Sequence, residues 1–333
     1  MGSRHKDSEK VMCYQVSFLH HLPTNQISRY GGKATNLARL HQNGIPIPHG
    51  FVIPTHAFTE FISSYPELDS YSRMQVEPEN MEELLQSATN LKNRASHFKI
   101  SFEPAQEIIN GFKRLTADQK EDGTSYAVRS SATFEDTEQF SFAGQADSFL
   151  CVHDQSRILE AVKQTWLSLY SPRAILYLLG KGIRMNQIQM AVIIQEMVLG
   201  DVSGVMFTAN VVTNNPNQLI IDSTWGLGEI IMTGKAIPDS FILQKTPLKI
   251  LKRRLGEKAL YSAPQPAKQP ENTVFLETPT NKREKFSITD EQLYELARIG
   301  LLIEQKMGFP QDIEWTYKDG KFVILQTRPI TTL

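Results

Sequence analysis

In the first half of the chain, apolar residues recur every three to four positions, which is the spacing of one helix face. One such segment opens at Gly31-Gly32-Lys33 and stops at Asn43-Gly44, and Asn-Gly is a typical helix stop. The same spacing predicts helices over residues 55–63, 155–170, 172–179 and 289–307, and a charged helical region over residues 78–115.

Short apolar runs bounded by Gly, Pro and Asn predict strands. The prolines of "IPIPHGFVIP" exclude a helix and leave residues 51–53 as a short strand. Residues 126–129 form another such run, and three more follow residue 189: "MAVIIQEMV", "SGVMFTA" and "QLIIDS". Residues 249–285 are rich in Pro, Lys and Glu, and we expect a solvent-exposed loop there.

The segment "QDIEWTYKDGKFVILQTRPIT" predicts a β-hairpin, because Asp319-Gly320 separates two alternating runs. In the first run, Asp312, Glu314 and Thr316 share one face. The residues of the second run fall by alternation into two sets, one of Val323, Leu325 and Thr327 and the other of Phe322, Ile324, Gln326 and Arg328. A hairpin of this kind can bring Asp312 and Glu314 near the two polar residues at the end of the second run.

Two carboxylates, an amide and a guanidinium at one place have the chemistry of a Mg²⁺–polyphosphate site. An ordinary surface hairpin with cross-strand ion pairs has the same residue types. Spacing alone leaves both interpretations open.

The chain of 333 residues is long enough for roughly two domains of about 150 residues each. Its 35 basic and 36 acidic residues give a net charge of −1, so no bulk attraction to nucleic acid or to an anionic membrane is expected. Two cysteines and the absence of an apolar leader predict a reduced, cytoplasmic protein, with residues 1–10 a flexible tail or an expression remnant. No Walker or complete dinucleotide-binding motif occurs.

A single arginine, Arg129, stands in "SYAVRSSATFEDTEQFSFAGQADSF", between an apolar run and a loop of small, hydroxylated and acidic residues. Little side-chain bulk follows it, and a second small segment closes on Ala143-Gly144-Gln145. Such a place suits an anionic ligand.

Five blocks of the chain resemble the nucleotide-binding domain shared by pyruvate phosphate dikinase, phosphoenolpyruvate synthase and rifampin phosphotransferase. They occur in the family's order between about residues 31 and 331: "GGKATNLARLHQNGIPIPHGFVI", "AVRSSATFEDTEQFSFAGQADSFL", "VIIQEMVLGDVSGVMFTAN", "WGLGE" and "PQDIEWTYKDGKFVILQTRPIT". The resemblance implies an α+β ATP-grasp fold with ATP and Mg²⁺ bound between two lobes, here expected over residues 11–190 and 191–333.

The resemblance also implies roles for individual residues. Lys33 and Arg129 match residues that contact the phosphates of ATP, with Gly144 helping to cradle them. By itself, Lys33 would be taken for a solvent-facing lysine. Arg328 matches the arginine of a terminal Arg-Pro element, and these three cations are expected to balance charge during catalysis.

Gln195, Glu196 and Val198 match the segment that reads the adenine edge through its backbone, although the same run is also compatible with a plain core strand. Glu314 and Gln326 match a metal- and phosphate-facing pair, and Asp312 lies where the family has a further carboxylate. The role of Glu229 in "WGLGE" is left open.

Members of the family pass the β-phosphoryl group of ATP to a carrier histidine and release AMP and phosphate. None of the eight histidines lies in an element that resembles the carrier. We therefore expect the acceptor, a phosphohistidine domain or a small molecule, to lie outside this chain. Two alternatives remain open: an ATP-grasp kinase or ligase that gives ADP, and a subunit that binds ATP without turnover.

Overall fold

The structure is a computed structural model that describes residues 14–74, 81–117, 124–133, 148–265 and 273–331. Its helices are α1 (Ile27–Gln42), α2 (Thr55–Ser63), α3 (Pro66–Ser72), α4 (Met81–Ala95), α5 (Phe102–Thr116), α6 (Gln155–Leu167), α7 (Pro172–Gly180), α8 (Glu229–Met232), α9 (Thr280–Arg283) and α10 (Asp290–Met307). None of the helices in these ranges combines the length and the apolar character needed to cross a membrane.

The strands are β1 (Ser17–Phe18), β2 (Gly50–Ile53), β3 (Tyr126–Ala132), β4 (Ser148–Val152), β5 (Met190–Glu196), β6 (Val202–Phe207), β7 (Gln218–Trp225), β8 (Asp239–Gln244), β9 (Lys249–Arg254), β10 (Leu260–Pro264), β11 (Thr273–Glu277), β12 (Gln311–Lys318) and β13 (Lys321–Pro329). Helices and strands occur in both halves of the chain, which confirms the α+β class.

The chain divides into two compact units. Of the described residues, the first unit holds 14–38, 49–74, 81–117, 124–133 and 148–196, and the second holds 39–48, 197–265 and 273–331. Strand β5 lies wholly in the first unit, because it pairs with β2 and β3. Apart from residues 39–48, the chain therefore passes from the first unit to the second after Glu196.

The first unit is built on a five-stranded sheet in the order β1-β2-β5-β3-β4. Its pairings are antiparallel. Alternate residues of β3 and β5 enter a hydrophobic core with the helices of this unit: Tyr126, Val128, Ala132, Met190, Val192 and Ile194. The opposite face of the sheet therefore carries the residues that alternate with them: Ala127, Arg129, Ser131, Ala191, Ile193 and Gln195.

The second unit is built on an antiparallel six-stranded sheet in the order β13-β12-β6-β7-β8-β9, with β10 and β11 as a separate hairpin. Helix α10 begins with a capping box between Thr289 and Gln292 and ends at Gly308 in the left-handed conformation. A Cβ on Gly300 would lie 2.4 Å from the terminal methyl of Met206 on β6, so this helix approaches the sheet closely there.

One expectation about local structure is confirmed and another needs correction. The charged helical region expected over residues 78–115 holds, in its described part, the two helices α4 and α5, with a break before Phe102. Residues 249–285 are not a continuous loop, since β9, β10, β11 and α9 lie within them. The basic residues Lys252–Arg254 are exposed as expected, but they lie on the edge strand β9.

Candidate functional site

Arg129 lies on the face of the first sheet that points away from the hydrophobic core. Its neighbours Val128 and Ser130 alternate with it, and Val128 belongs to the core cluster. Ser131, two residues further on, shares the face of Arg129. The Arg129 side chain is partly exposed, as a residue that meets a ligand needs to be.

The Gly31-Gly32-Lys33 turn is fastened to this strand through Ser131. Gly31 has φ 75° and ψ 170°, which interrupts the helix, and an added Cβ would lie 2.0 Å from the Ser131 carbonyl oxygen. The Ser131 hydroxyl donates to the Tyr30 carbonyl at 2.9 Å and accepts from the Ala34 N–H at 3.1 Å. Lys33 is only 8% exposed, so it is not a solvent-facing lysine.

Gln195 joins the same face from the neighbouring strand. It pairs with Ala127, which lies two residues before Arg129 on β3, and it is 2% exposed. Directly opposite residues of paired strands project to the same side of a sheet. The structure thus brings Gln195, Arg129 and the turn that carries Lys33 to one face of the first unit.

The backbone of the segment that follows is partly used within the chain. The Glu196 N–H donates to the His49 carbonyl at 2.8 Å, and the Gly200 N–H donates to the Val198 carbonyl at 2.9 Å. The Glu196 N–H is therefore already used within the chain, whereas the Val198 carbonyl keeps a second lone pair. Glu196 is the last residue of the first unit, and Val198 belongs to the second.

In the second unit, the predicted hairpin pairs Asp312 with Arg328 and Glu314 with Gln326. Asp312 is 7% exposed and Gln326 5% exposed, and β12 is flanked by β13 and β6. These two positions are therefore buried and not at the surface, although Asp312 and Arg328 form a cross-strand ion pair of the kind that the alternative interpretation expected. The four polar residues lie next to one another on the hairpin: Asp312, Glu314, Gln326 and Arg328.

A shift in strand register produces this arrangement. Trp315 pairs with Ile324 while Glu314 pairs with Gln326, so Leu325 is an extra residue on β13. Strict alternation would put Gln326 on the same face as Ile324, against the core. The bulge instead turns Gln326 and the residues beyond it, so that the amide faces the Glu314 carboxylate.

Asp312 and Arg328 form a close ion pair. Burial raises the pKa of the Asp312 carboxyl group, and the facing Arg328 guanidinium acts in the opposite direction. Within the described residues, the Oδ1 atom of Asp312 is buried without a hydrogen-bond partner. A buried carboxylate oxygen of this kind, beside a carboxylate and an amide on the same face, fits the hard oxygen ligands that Mg²⁺ prefers.

The described part of the chain holds no group of three or more His, Cys, Asp or Glu side chains suited to a metal ion.

The register of the second sheet adds a carboxylate that sequence analysis did not single out. One continuous row of directly opposed residues crosses all six strands: Gln326, Glu314, Val205, Asp222, Ser240 and Arg254. Asp222 therefore shares the face of Glu314, two strands or about 10 Å away. Burial is the main cause that raises the pKa of Asp222, while Ser240 and Arg254 act in the opposite direction.

Glu229, whose role the sequence left open, is a structural anchor. Its Oε2 atom accepts hydrogen bonds from Thr273 at 2.6 Å and from Ser262 at 3.3 Å. These contacts tie the "WGLGE" turn to the β10–β11 hairpin.

The predicted site residues are therefore distributed over both units. Lys33, Arg129, Gln195 and Glu196 lie in the first, and Val198, Asp312, Glu314, Gln326 and Arg328 lie in the second. Gly144 lies outside the described residues. Alternation could not have revealed Asp222, or the contact of Ser131 with the Gly31 turn, because both depend on pairing with distant segments.

Comparisons with known proteins agree with the resemblance. Residues 27–333 match the family model described as "Pyruvate phosphate dikinase, AMP/ATP-binding domain". A probable phosphoenolpyruvate synthase of Archaeoglobus fulgidus is 35% identical over 96% of this chain and 42% of its own length. The phosphoenolpyruvate synthase of Pyrococcus furiosus is 32% identical, with coverages of 97% and 44%.

The rifampicin phosphotransferase of Bacillus subtilis is 33% identical over 95% of this chain and 36% of its own length. The chain thus spans less than half the length of each of these three relatives. The crystal structure of an L-amino acid ligase from Bacillus licheniformis covers 92% of this chain and 44% of its own, with 12% identity and a TM-score of 0.31, which is too low to support an argument about the fold.

The family match covers more than nine-tenths of the chain, and its two α+β units are consistent with the expected ATP-grasp fold. The chain belongs to the family of AMP/ATP-binding domains of pyruvate phosphate dikinase.

Proposed function

We propose that this chain is the ATP-binding domain of a dikinase-type phosphotransferase. It binds ATP with Mg²⁺ and passes the β-phosphoryl group to a histidine carrier or a small acceptor outside this chain. With one water consumed, ATP and the acceptor give AMP, inorganic phosphate and the phosphorylated acceptor.

The observation that carries this proposal is the polar face of the first unit. Gln195, Arg129 and the turn of Lys33 follow one another along this face. An amide at one end and two cations further along are suited to a nucleotide with its base at Gln195 and its phosphates at Lys33 and Arg129.

The second unit would supply the groups that hold metal and phosphate oxygens. Glu314, Gln326 and Asp312 would hold Mg²⁺, which supplies neutralisation of phosphate charge when bound. Arg328 is oriented by Asp312 and would donate to phosphate oxygens. In the first unit, Lys33 and Arg129 would balance the charge that develops on the transferring phosphoryl group, and no nucleophile from this chain is required.

Because the acceptor lies outside this chain, we expect ATP and Mg²⁺ alone to give little turnover. The test supplies a separately expressed phosphohistidine domain of a phosphoenolpyruvate synthase and follows nucleotides by chromatography and the acceptor by phosphorus NMR. AMP and phosphate formed together with phosphohistidine would support the proposal.

The same assay separates the alternatives. Stoichiometric ADP without AMP at early times would point to a simple kinase or a ligase and would overturn the dikinase mechanism. Tight ATP binding with no product in the presence of several such domains would favour a subunit that binds ATP without turnover.

A further inference from the structure

We propose that Ser131 is a positioning residue that sets the place of Lys33 relative to Arg129. This inference rests on the proposed function, in which both cations contact the phosphates of ATP. Ser131 is completely buried and lies on β3 two residues after Arg129, on the same face of the sheet.

The hydrogen bonds of Ser131 straddle the Gly31-Gly32-Lys33 turn. The residue before the turn, Tyr30, accepts a hydrogen bond from the Ser131 hydroxyl, and the residue after it, Ala34, donates one to that hydroxyl. One side chain therefore fastens both ends of the turn to the strand that carries Arg129. A serine hydroxyl can do this because it donates and accepts at once.

The Gly31-Gly32-Lys33 turn has little freedom to adopt another conformation. The Thr35 hydroxyl donates to the Gly31 and Gly32 carbonyls, each at 2.9 Å. A Cβ on Gly31 would lie 2.4 Å from the Ser131 hydroxyl oxygen, and the φ of Gly31, 75°, is one that L residues rarely adopt. The short turn and the strand are thus in contact along their backbones.

Such fastening matters because lysine has a long and flexible side chain. Its ammonium group binds phosphate as a point charge, so the position of its Cα decides where that charge can reach. With Ser131 in place, Lys33 and Arg129 are held at a defined separation before the nucleotide arrives. Preorganised charges stabilise a polyphosphate better than charges that must be ordered upon binding.

A serine that merely satisfies buried backbone groups would have the same hydrogen bonds, so the test must separate positioning from stability. Loss of positioning should weaken binding of the β- and γ-phosphates and leave binding of the adenosine part unaffected. The ratio of the affinities for ATP and for AMP therefore reports positioning, whereas a general loosening of the fold weakens both.

The experiment measures dissociation constants of Mg·ATP and of AMP by calorimetry for the whole chain and for Ser131→Ala. We expect ATP affinity to fall by about tenfold, because a lysine that is no longer held in place must be ordered when the nucleotide binds, with AMP affinity nearly unchanged. Ser130→Ala is the matched control. Ser130 is the adjacent buried serine on the opposite face, and its hydroxyl has no partner among the described residues.

A double-mutant cycle with Lys33→Ala tests whether Ser131 affects ATP affinity through Lys33. If Ser131 acts through Lys33, Ser131→Ala should cause little further loss of ATP affinity once Lys33 is removed. Ser131→Cys keeps the side-chain volume with a weaker hydrogen-bonding group, and it serves if Ser131→Ala does not fold.

Equal losses of affinity for ATP and AMP, or full additivity in the cycle, would overturn the positioning role of Ser131. The proposed function of the chain in binding ATP would still stand. Unchanged ATP affinity in both Ser131 variants would also overturn the positioning role. Failure of the unmodified chain to bind either nucleotide would instead overturn the proposed function, and this inference with it.

Discussion

Arg328 donates two hydrogen bonds to the same carboxylate oxygen of Asp312. Its Nε and Nη2 atoms donate to Oδ2 of Asp312 at 2.8 and 2.6 Å, directly across the β12–β13 pair. The guanidinium is therefore fixed in orientation before any ligand binds, beside the Glu314–Gln326 pair. This relationship provides the first prediction.

Replacing Arg328 by alanine should lower the free energy of unfolding by about 1.5–3 kcal/mol, because the buried Asp312 carboxylate loses its charged hydrogen-bond partner. Urea denaturation measures the change. Arg253→Ala is the control, since Arg253 pairs with Asp290 at an exposed site of the same unit, where solvent screens the pair and the loss of stability should be much smaller. Equal losses in the two variants would contradict the importance of burial.

Because of Asp222, we expect the free energy of unfolding to fall as pH rises. Burial raises its pKa in the folded protein, so the folded state binds a proton more tightly than the unfolded state does. The slope of unfolding free energy with pH is then negative around that pKa, and the ionised carboxylate destabilises the fold at neutral pH.

Asp222→Asn should therefore raise the unfolding free energy at neutral pH, and the gain should shrink as pH falls through the raised pKa of the folded-state carboxyl group, which is then protonated. Denaturation curves of both proteins at several pH values measure this difference. A gain that does not change with pH would show that the charge of Asp222 is not the cause.

Removal of Mg²⁺ should weaken ATP binding by about tenfold or more, since a metal at phosphate oxygens contributes several kcal/mol. Calorimetry with and without excess chelator measures this, and Glu314→Gln should lose most of the metal dependence. Glu291→Gln changes an exposed carboxylate of α10 and should leave the dependence unaltered. Similar ATP affinity with and without chelator in the unmodified protein would argue against a metal at Glu314.

Arg129→Ala should weaken ATP binding by about 10- to 100-fold, which corresponds to one charge-assisted hydrogen-bonding group. The melting temperature should change little, because Arg129 lies on the face opposite the hydrophobic core. Calorimetry and thermal unfolding followed by circular dichroism provide the two readouts. An unfolded Arg129→Ala protein would assign Arg129 a structural role.

The sequence by itself determined the elements with strong local signals. The apolar spacing of residues 289–307 and its capping residues specify α10, because one helix face and its hydrogen-bonded ends are set by neighbours within four positions. Asp319-Gly320 likewise specified the hairpin, since both residues adopt the positive φ values of a tight two-residue turn. The five blocks also predicted the family, because they preserve residue types in a fixed order.

Only the tertiary structure decided which side chains share a face. The extra residue Leu325 moves Gln326 to the side of Glu314, and a period of two cannot reveal where such a shift occurs. Asp222 reaches the row of Glu314 because both residues pair with Val205, and Ser131 meets Gly31 across 100 residues of chain. Local propensity carries no information about these pairings, because their register is set by how the whole sheet and its core pack together.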